Sequence, residues 1–266
     1  MQISGFREWA QAALLLIPLV AGCAGNDLPV DAAPEDIFAH AQRKLAEEKY
    51  FDAAEALEYF LRSHPGTGST PLAKLRLGDA RFGLREYILA EGEYQQIVSD
   101  YPASPHVEEA RYKIALCSYA SILPYNLDQT ETERAVAGLE QFIRDFPDSR
   151  FVPEAREKIE ECRDRLAHGE FENGRFYQGR KRFKPASIQY KHVVENFPET
   201  PWAARSALAL AEMYHLRERR EDAESWFRRV QRDWPDSAEA KLAAERLADL
   251  SAARTLSQSP PVEDSP

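Results

Sequence analysis

Apolar side chains recur along the chain at fixed distances from five prolines: Pro65, Pro102, Pro147, Pro198 and Pro235. Alanine lies twelve residues before each of them, at Ala53, Ala90, Ala135, Ala186 and Ala223. Large apolar residues lie eight before (Leu57, Tyr94, Leu139, Tyr190, Phe227) and five before (Phe60, Ile97, Phe142, Val193, Val230). Steps of four and three residues place these columns on one helix face. The segment before each proline is therefore predicted to be an amphipathic helix.

A second set of columns follows each proline. Small residues lie eight after it (Ala73, Ala110, Ala155, Ser206, Ala243), and apolar residues lie twelve after it (Leu77, Ile114, Ile159, Leu210, Leu247) and fifteen after it (Ala80, Cys117, Cys162, Met213, Leu250). This spacing again predicts a helix with one buried face. Proline cannot continue the preceding helix, and the hydroxyl residue two positions later is expected to N-cap the next one: Thr67, Ser104, Ser149, Thr200 and Ser237.

The five prolines are 37, 45, 51 and 37 residues apart, which is close to the period of helical-hairpin arrays. Alanine followed by proline twelve residues later resembles the TPR pattern, here with repeats longer than usual. We therefore predict an all-α fold, a superhelical solenoid of about five TPR-like helical hairpins plus a C-terminal helix. The N-terminal repeats are expected at 35–120, the C-terminal repeats at 121–252 and a disordered tail at 253–266.

The N-terminus carries an apolar run at residues 12–21, which is shorter than the roughly 20 residues that span a bilayer as a helix. It has the length of a signal-peptide core, and it ends in small residues before Cys23. This resembles the lipobox of bacterial lipoproteins. The resemblance implies a signal peptide at 1–22, a palmitate-type lipid on Cys23 and a flexible tether at 23–34. The alternatives are an ordinary secretory signal, or a buried N-terminal helix with an incidental cysteine.

Composition and charge narrow the function classes. The 266 residues are long for one compact core and ordinary for a solenoid. Hydrophobic residues make up 44% of the chain and charged residues 29%, so we expect a folded body. The net charge of −10 argues against nucleic-acid binding, which requires a basic surface.

Cys117 and Cys162 occupy the same repeat column, where the other members are Ala80, Met213 and Leu250. The pattern favours small buried hydrophobic residues over chemically active thiols. A disulfide between them would need Cα atoms within about 7 Å, and equivalent positions in stacked repeats usually lie farther apart.

The sequence shows no catalytic or metal motif. Neither a GxSxG nucleophile motif nor a phosphate-binding loop occurs. Glu212 and His215 have ExxH spacing, but one such pair does not make a metal site. We expect no catalytic residue, no metal and no cofactor, and therefore a protein that is not an enzyme.

Three runs narrow the resemblance: NLDQTETERA at 126–135, CRDRLAHGEFENGRFYQGRKRFKPAS at 162–187 and FPET at 197–200. Together with the lipobox they resemble the BamD family, lipoproteins of the outer-membrane β-barrel assembly machinery, over roughly residues 23–250. The resemblance implies a scaffold anchored by lipid to the periplasmic face of the outer membrane. Its implied partners are the POTRA domains of a BamA-type barrel subunit, other assembly lipoproteins and unfolded outer-membrane proteins.

Basic and aromatic residues supply two candidate surfaces. The C-terminal repeats dock the barrel subunit in that family, and the expected partner-binding residues here are Arg175, Phe176, Tyr177, Arg180, Arg217, Arg219 and Arg220. The N-terminal repeats are expected to offer a substrate groove that includes Phe38, Gln42, Lys74, Arg81 and Arg85. Alternatively, the arginines among the expected partner-binding residues are simply the solvated surface of turns and helices.

Two other functions compete. A TPR coordinator of cell-envelope division or peptidoglycan synthesis shares the Tyr-Pro-x-Ser step, but that class usually lacks a lipobox. A lipid-anchored hydrolase would need a nucleophile beside a general base, and the sequence contains no motif for such a pair.

Overall fold

The computed structural model describes residues 32–258, in which every regular element is an α-helix. The helices are α1 (Pro34–Ala46), α2 (Tyr50–Ser63), α3 (Thr70–Gly83), α4 (Tyr87–Asp100), α5 (Val107–Ala120), α6 (Thr130–Asp145), α7 (Val152–Gly179), α8 (Phe183–Asn196), α9 (Pro201–His215), α10 (Arg220–Asp233) and α11 (Ala238–Gln258). Across this described stretch, none of them is both long and apolar enough to cross a membrane. The predicted signal peptide at 1–22 and Cys23 lie outside the described residues.

The helices form a linear array. Helices α1–α2, α3–α4, α5–α6, α7–α8 and α9–α10 pair as hairpins, and each second helix also packs on the first helix of the following hairpin. Helix α11 closes the array against α10 and α9. Each hairpin thus contacts its neighbours along the chain, as in a solenoid. The predicted fold class of five hairpins plus a C-terminal helix is confirmed.

The column before each proline forms the centre of every hairpin. The five alanines Ala53, Ala90, Ala135, Ala186 and Ala223 are completely buried, and the large residues eight and five positions before the prolines are buried as well. After the prolines, the small column is buried at all five positions, whereas Ile114, Ile159 and Leu247 of the next column are only partly covered. The periodicity therefore predicted the core correctly. The buried face of the helix after the proline is narrower in α5, α7 and α11, which carry these three residues.

Four hairpin turns share one backbone conformation. Each contains one non-glycine residue in the left-handed region: Glu48 (φ 56°), Arg85 (φ 62°), Lys181 (φ 58°) and Glu218 (φ 59°). In each turn the next amide N–H donates to the carbonyl five residues earlier, as Lys49 N–H does to Lys44 O at 2.9 Å. Those bonds pair carbonyls at the helix end and hold a conformation that costs an L-residue about 1 kcal/mol. No glycine marks these turns, so their left-handed conformation was not predicted from the sequence.

The predicted N-caps are mostly wrong. Among the described helices only Ser237 caps as expected, accepting a hydrogen bond from the Ala240 N–H at 3.1 Å. Ser104 and Ser149 instead accept from the amide two residues later, within the turn before the helix. Thr67 faces the Thr70 hydroxyl, and Thr200 donates to the Phe197 carbonyl at 2.9 Å. Three of these helices begin five residues after the proline and the other two begin three residues after it, so the hydroxyls mainly order the turn.

Several boundaries differ from those predicted. The run at 126–135 reads as an insertion that lengthens the loop of the third repeat, but residues 130–135 are the first turns of α6, and the connection from α5 is confined to 121–129. Helix α11 continues to Gln258, so the first residues of the expected tail at 253–266 are helical. Pro34, the last residue of the predicted tether, is the first residue of α1, since proline suits the first turn of a helix.

Cys117 and Cys162 are buried and free. Burial raises the pKa of the Cys117 thiol to about 12 and that of Cys162 to about 11. Both therefore remain protonated at neutral pH, as inert small hydrophobic residues do.

A glycine faces a buried tyrosine in two of the hairpins. A Cβ on Gly174 would lie 2.5 Å from the Tyr190 ring, and one on Gly78 would collide with the Tyr94 ring in the same way. Each tyrosine lies sixteen residues after its glycine and is buried, and the Tyr190 hydroxyl donates to Gln178 Oε1 at 2.6 Å. Alanine replaces the glycine where the partner column holds other residues, as in Ala41 with Leu57 and Ala211 with Phe227. The size of the residue on the first helix therefore compensates for the size of the residue that faces it on the second helix of the same hairpin.

Gly174→Ala is expected to lower the free energy of unfolding by about 1–3 kcal/mol, measured by urea denaturation. The added methyl must displace a buried ring, and this outweighs the better helix propensity of alanine. Gly92→Ala is the matched control, because Gly92 is in mid-helix with nothing within 4 Å of the new Cβ, and it should stabilise by about 1 kcal/mol. Adding Tyr190→Leu should recover part of the loss, since Ala with Leu is the pair of the first hairpin. Equal stability of Gly174→Ala and wild type would contradict this compensation in size.

Candidate functional site

The predicted partner-binding residues lie in the turns of the fourth and fifth hairpins and in the helix ends beside them. Three arginines there stack on aromatic rings: Arg180 on Phe176 at 3.7 Å, Arg217 on Phe183 at 4.7 Å and Arg219 on Tyr214 at 4.8 Å. The Arg217–Phe183 contact joins the two turns, since Arg217 follows α9 and Phe183 begins α8. The structure therefore brings Arg180, Arg217 and Arg219 to one end of neighbouring hairpins. Lys181, Arg182 and Lys184 lie beside Arg180. We use the name basic turns for the surface formed by Arg180, Lys181, Arg182, Lys184 and Arg217.

Ion pairing separates the candidate arginines into two groups. Arg175 pairs with Glu172 at 3.0 Å, Arg219 with Asp222 at 2.7 Å, and Arg220 with Glu224 at 3.1 Å. Arg220 also donates to the Leu250 carbonyl, which ties α10 to α11. Within residues 32–258, the five cations of the basic turns have no carboxylate within ion-pair distance. They are exposed or half-exposed charges available to a partner.

Phe176 and Tyr177 differ in environment. Phe176 is 52% exposed, whereas Tyr177 is half-buried and packs with Tyr190 and Phe183 in the core of the fourth hairpin. Their rings meet edge to face at 5.5 Å. Phe176 is therefore a surface anchor, and Tyr177 holds it in position.

The N-terminal candidates lie on α1, α3 and the turn after α3. Phe38 packs on Phe60 at 5.6 Å and belongs to the core of the first hairpin. Gln42 lines a shallow pocket of about 390 Å³ with Tyr50 and Asp79. Arg85 is the left-handed residue of the second turn. Of these three side chains, only Gln42 lines this pocket.

Lys74 and Arg81 are already engaged within the protein. Both reach Glu93, at 3.5 and 3.7 Å, and Arg81 also pairs with Glu58 at 3.0 Å. Lys74 in addition donates to Gln96. Their ion pairs therefore link neighbouring helices. The cations of the basic turns, by contrast, have no ion pair within residues 32–258.

The α5–α6 connection, residues 121–129, is fixed against α7. The Tyr125 ring stacks on His168 at 3.7 Å, and His168 stacks on Trp202 of α9 at 3.9 Å with the planes 5° apart. Arg165 of α7 donates to the Leu123 carbonyl at 3.0 Å. A Cβ at position 169 would lie 2.9 Å from the Tyr125 carbonyl oxygen, so glycine is required for this close approach.

This docking forms a groove of about 630 Å³, which we call the loop–α7 groove. Its floor is α7 (Leu166, Gly169, Glu170, Glu172, Asn173, Phe176, Tyr177), one wall is the connection and the start of α6 (Tyr125, Asn126, Leu127, Gln129, Glu133), and the other is α8 and its end (His192, Phe197). Sequence reasoning found Phe176 and Tyr177 but missed the groove. The length of the connection and a glycine inside α7 were the available signals.

The described residues contain no cluster of three or more His, Cys, Asp or Glu side chains that could hold a metal ion. Glu212, one half of the ExxH pair, is bound to Arg246 at 2.8 Å. The basic turns offer charge, and the loop–α7 groove offers a concave shape, for binding other molecules.

Comparison with known proteins assigns the chain to a protein family. A family model described as YfiO, outer membrane lipoprotein, matches residues 30–225. The chain belongs to this family. The outer membrane protein assembly factor BamD of Caulobacter vibrioides is 28% identical over 208 residues, which cover 76% of this chain and 68% of that relative. The YfiO match includes the whole loop–α7 groove and the basic turns.

Solved TPR structures are similar in outline. A TPR repeats protein from Bacteroides fragilis covers 82% of this chain and 99% of its own, with a TM-score of 0.48 and 13% identity. A thermophilic TPR protein from Thermus thermophilus covers 83% of this chain and 100% of its own, with a TM-score of 0.33 and 18% identity. The hairpins of this YfiO-family chain are defined by its own helices and buried core.

Tyr125→Ser is expected to loosen the connection, because it removes one ring of a three-ring stack. Loss of one ring contact of about 1.4 kcal/mol should raise amide hydrogen exchange in residues 121–129 about tenfold, measured by mass spectrometry. Leu123→Ser, in the same connection, is the control, since its exposed side chain is outside the stack. If both variants exchange like the wild type, the stack does not fix the connection.

Proposed function

We propose that this chain is a lipid-anchored scaffold of the β-barrel assembly machinery at the periplasmic face of the outer membrane. Membership of the YfiO family supports an outer-membrane lipoprotein, and the Caulobacter relative carries the name of an assembly factor. The scaffold binds a barrel subunit through its POTRA domains, other assembly lipoproteins and unfolded outer-membrane proteins. The proposal assigns the chain no catalytic step.

The basic turns carry the proposal at residue level. Five cations have no ion pair within residues 32–258, and two of them, Arg180 and Arg217, stack on exposed Phe176 and half-buried Phe183, on a chain whose net charge is −10. Such a local reversal of charge favours encounter with an acidic surface and sets its orientation. Stacking on the rings holds the Arg180 and Arg217 guanidinium groups in place, which lowers the entropy lost on binding. An acidic face of the barrel subunit is the partner that we assign to this surface.

Arg180→Glu with Arg217→Glu is expected to weaken binding to the purified barrel subunit by about tenfold to a hundredfold, because two attractive charges become repulsive. Calorimetry or co-purification at low salt measures the change. Both residues lack internal ion pairs, so reversal should leave the fold intact. Arg156→Glu with Lys241→Glu is the control with the same charge change at exposed cations that also lack an ion pair within residues 32–258, and it should bind normally. Equal binding of the two double variants would count against the basic turns.

Cys23→Ser tests the anchor. The variant should lose incorporation of radiolabelled palmitate and move from the membrane fraction to the soluble fraction, because each buried methylene of an acyl chain contributes about 0.8 kcal/mol to membrane binding. Its helical circular dichroism should not change, since the hairpins begin after residue 33. Undiminished labelling of Cys23→Ser would exclude this residue as the lipid site.

A further inference from the structure

We propose that the loop–α7 groove is a second docking site, which binds a peptide segment of another protein that alternates large apolar side chains with lysine or arginine. The inference rests on the proposed scaffold function, in which other proteins dock on the chain. It concerns a different surface from the basic turns, with a partner of opposite charge.

The shape of the groove suits a peptide. Its volume of about 630 Å³ falls within the range of sites that enclose small ligands or several side chains, roughly 300–1,000 Å³. The floor is a continuous stretch of α7 from Leu166 to Tyr177, and the two walls come from other helices and the connection. The groove therefore extends along a helix over about three turns, which matches an elongated segment rather than a compact small molecule.

Two large apolar side chains that line this groove are exposed. Leu127 on the wall is 54% exposed and Phe176 on the floor is 52% exposed, and Tyr125 and Leu166 also line the groove. Leaving such side chains in water is unfavourable by about 25 cal/mol for each Å² of apolar surface. An occupant with apolar side chains removes this surface from water.

The polar lining selects the charge of the occupant. The groove is lined by three carboxylates, Glu133, Glu170 and Glu172, and by no lysine or arginine. Glu172 is paired with Arg175, whereas Glu133 and Glu170 have no ion pair within residues 32–258. Two unpaired carboxylates beside exposed apolar side chains complement a segment with cations between its apolar residues.

The charge gradient also gives the site a direction. Arg180 stacks on Phe176 where the groove meets the basic turns, while Glu133 and Glu170 lie toward the connection. A bound segment is therefore expected to place its cations near the connection and away from Arg180.

The walls are held before anything binds. The Tyr125–His168–Trp202 stack and the Arg165 bond to the Leu123 carbonyl fix the connection on α7, and the bond from Gln129 Nε2 to the Pro124 carbonyl at 2.8 Å closes the connection on itself. A preformed wall lowers the ordering cost of binding. This distinguishes the groove from a loop that merely covers a helix.

The chain's own terminal segments do not match the groove. Residues 24–31 (AGNDLPVD) and 259–266 (SPPVEDSP) each carry two acidic residues and no basic one. Their charge has the same sign as the lining. These two segments therefore do not complement the lining, and we assign the occupant to another protein.

Fluorescence anisotropy with three short labelled peptides tests the site on the full-length protein. The first peptide alternates tyrosine and lysine, the second alternates tyrosine and glutamate, and the third alternates serine and lysine. The tyrosine–lysine peptide should bind at least about tenfold more tightly than either of the others, because it alone satisfies both the apolar and the acidic features. Equal binding of the serine–lysine peptide would reduce the site to general attraction by an acidic protein and would overturn the proposal.

Variants then locate the site. Glu133→Gln with Glu170→Gln, and separately Leu127→Ser, should each weaken the tyrosine–lysine peptide about tenfold. Glu157→Gln with Glu221→Gln removes the same charge from exposed positions outside the groove and should change affinity less than twofold, about 0.4 kcal/mol. If the groove variants and the control bind alike, the peptide binds elsewhere and the proposal is wrong.

The two proposals fail separately. The Arg180→Glu/Arg217→Glu variant should lose the barrel subunit yet keep the tyrosine–lysine peptide, and the Glu133→Gln/Glu170→Gln variant should do the reverse. Normal binding of the barrel subunit by the first variant, with peptide binding lost in the second, would remove the assigned role of the basic turns and support the groove. Loss of peptide binding in both variants would overturn the groove as an independent site.

Discussion

The close approach of two helices at a buried alanine determines the geometry of every hairpin. Ala53, Ala90, Ala135, Ala186 and Ala223 have no exposed surface, and each lies where a larger side chain would push the helices apart. Because the same contact recurs five times, the hairpins have one spacing and stack as a solenoid. The large residue four positions later then fills the space that the alanine leaves, and glycine appears opposite it where that residue is tyrosine.

The third and fourth hairpins depart from this regularity, and the loop–α7 groove is the result. Helix α7 has 28 residues, about twice the length of most of the others, so it extends beyond α6 and receives the connection that follows α5. Gly169 permits the backbone to approach, and His168 lies between two rings from different hairpins. A long helix and a long connection thus form a rigid concave surface, which a regular repeat would not provide.

Charge is distributed unevenly over the array. Near the N-terminal hairpins, Lys74 and Arg81 are bound to Glu93 and Glu58, so these groups join helices within the protein. The five cations of the basic turns have no such partners among the described residues, and the adjacent groove carries two unpaired carboxylates, Glu133 and Glu170. Two neighbouring surfaces of opposite charge allow one scaffold to orient two partners without competition between them.

The sequence by itself determined the number of hairpins, the core columns and the inertness of Cys117 and Cys162, because helical periodicity fixes which residues share a face. It also placed Phe176 and the arginines at the hairpin turns. Only the tertiary structure decided which of those arginines are unpaired, since pairing depends on carboxylates such as Glu172 and Asp222 and on their rotamers. The left-handed turns and the groove also needed the structure. Lys181 gives no signal of positive φ, and the stacking of Tyr125 on His168 joins residues that no local pattern connects.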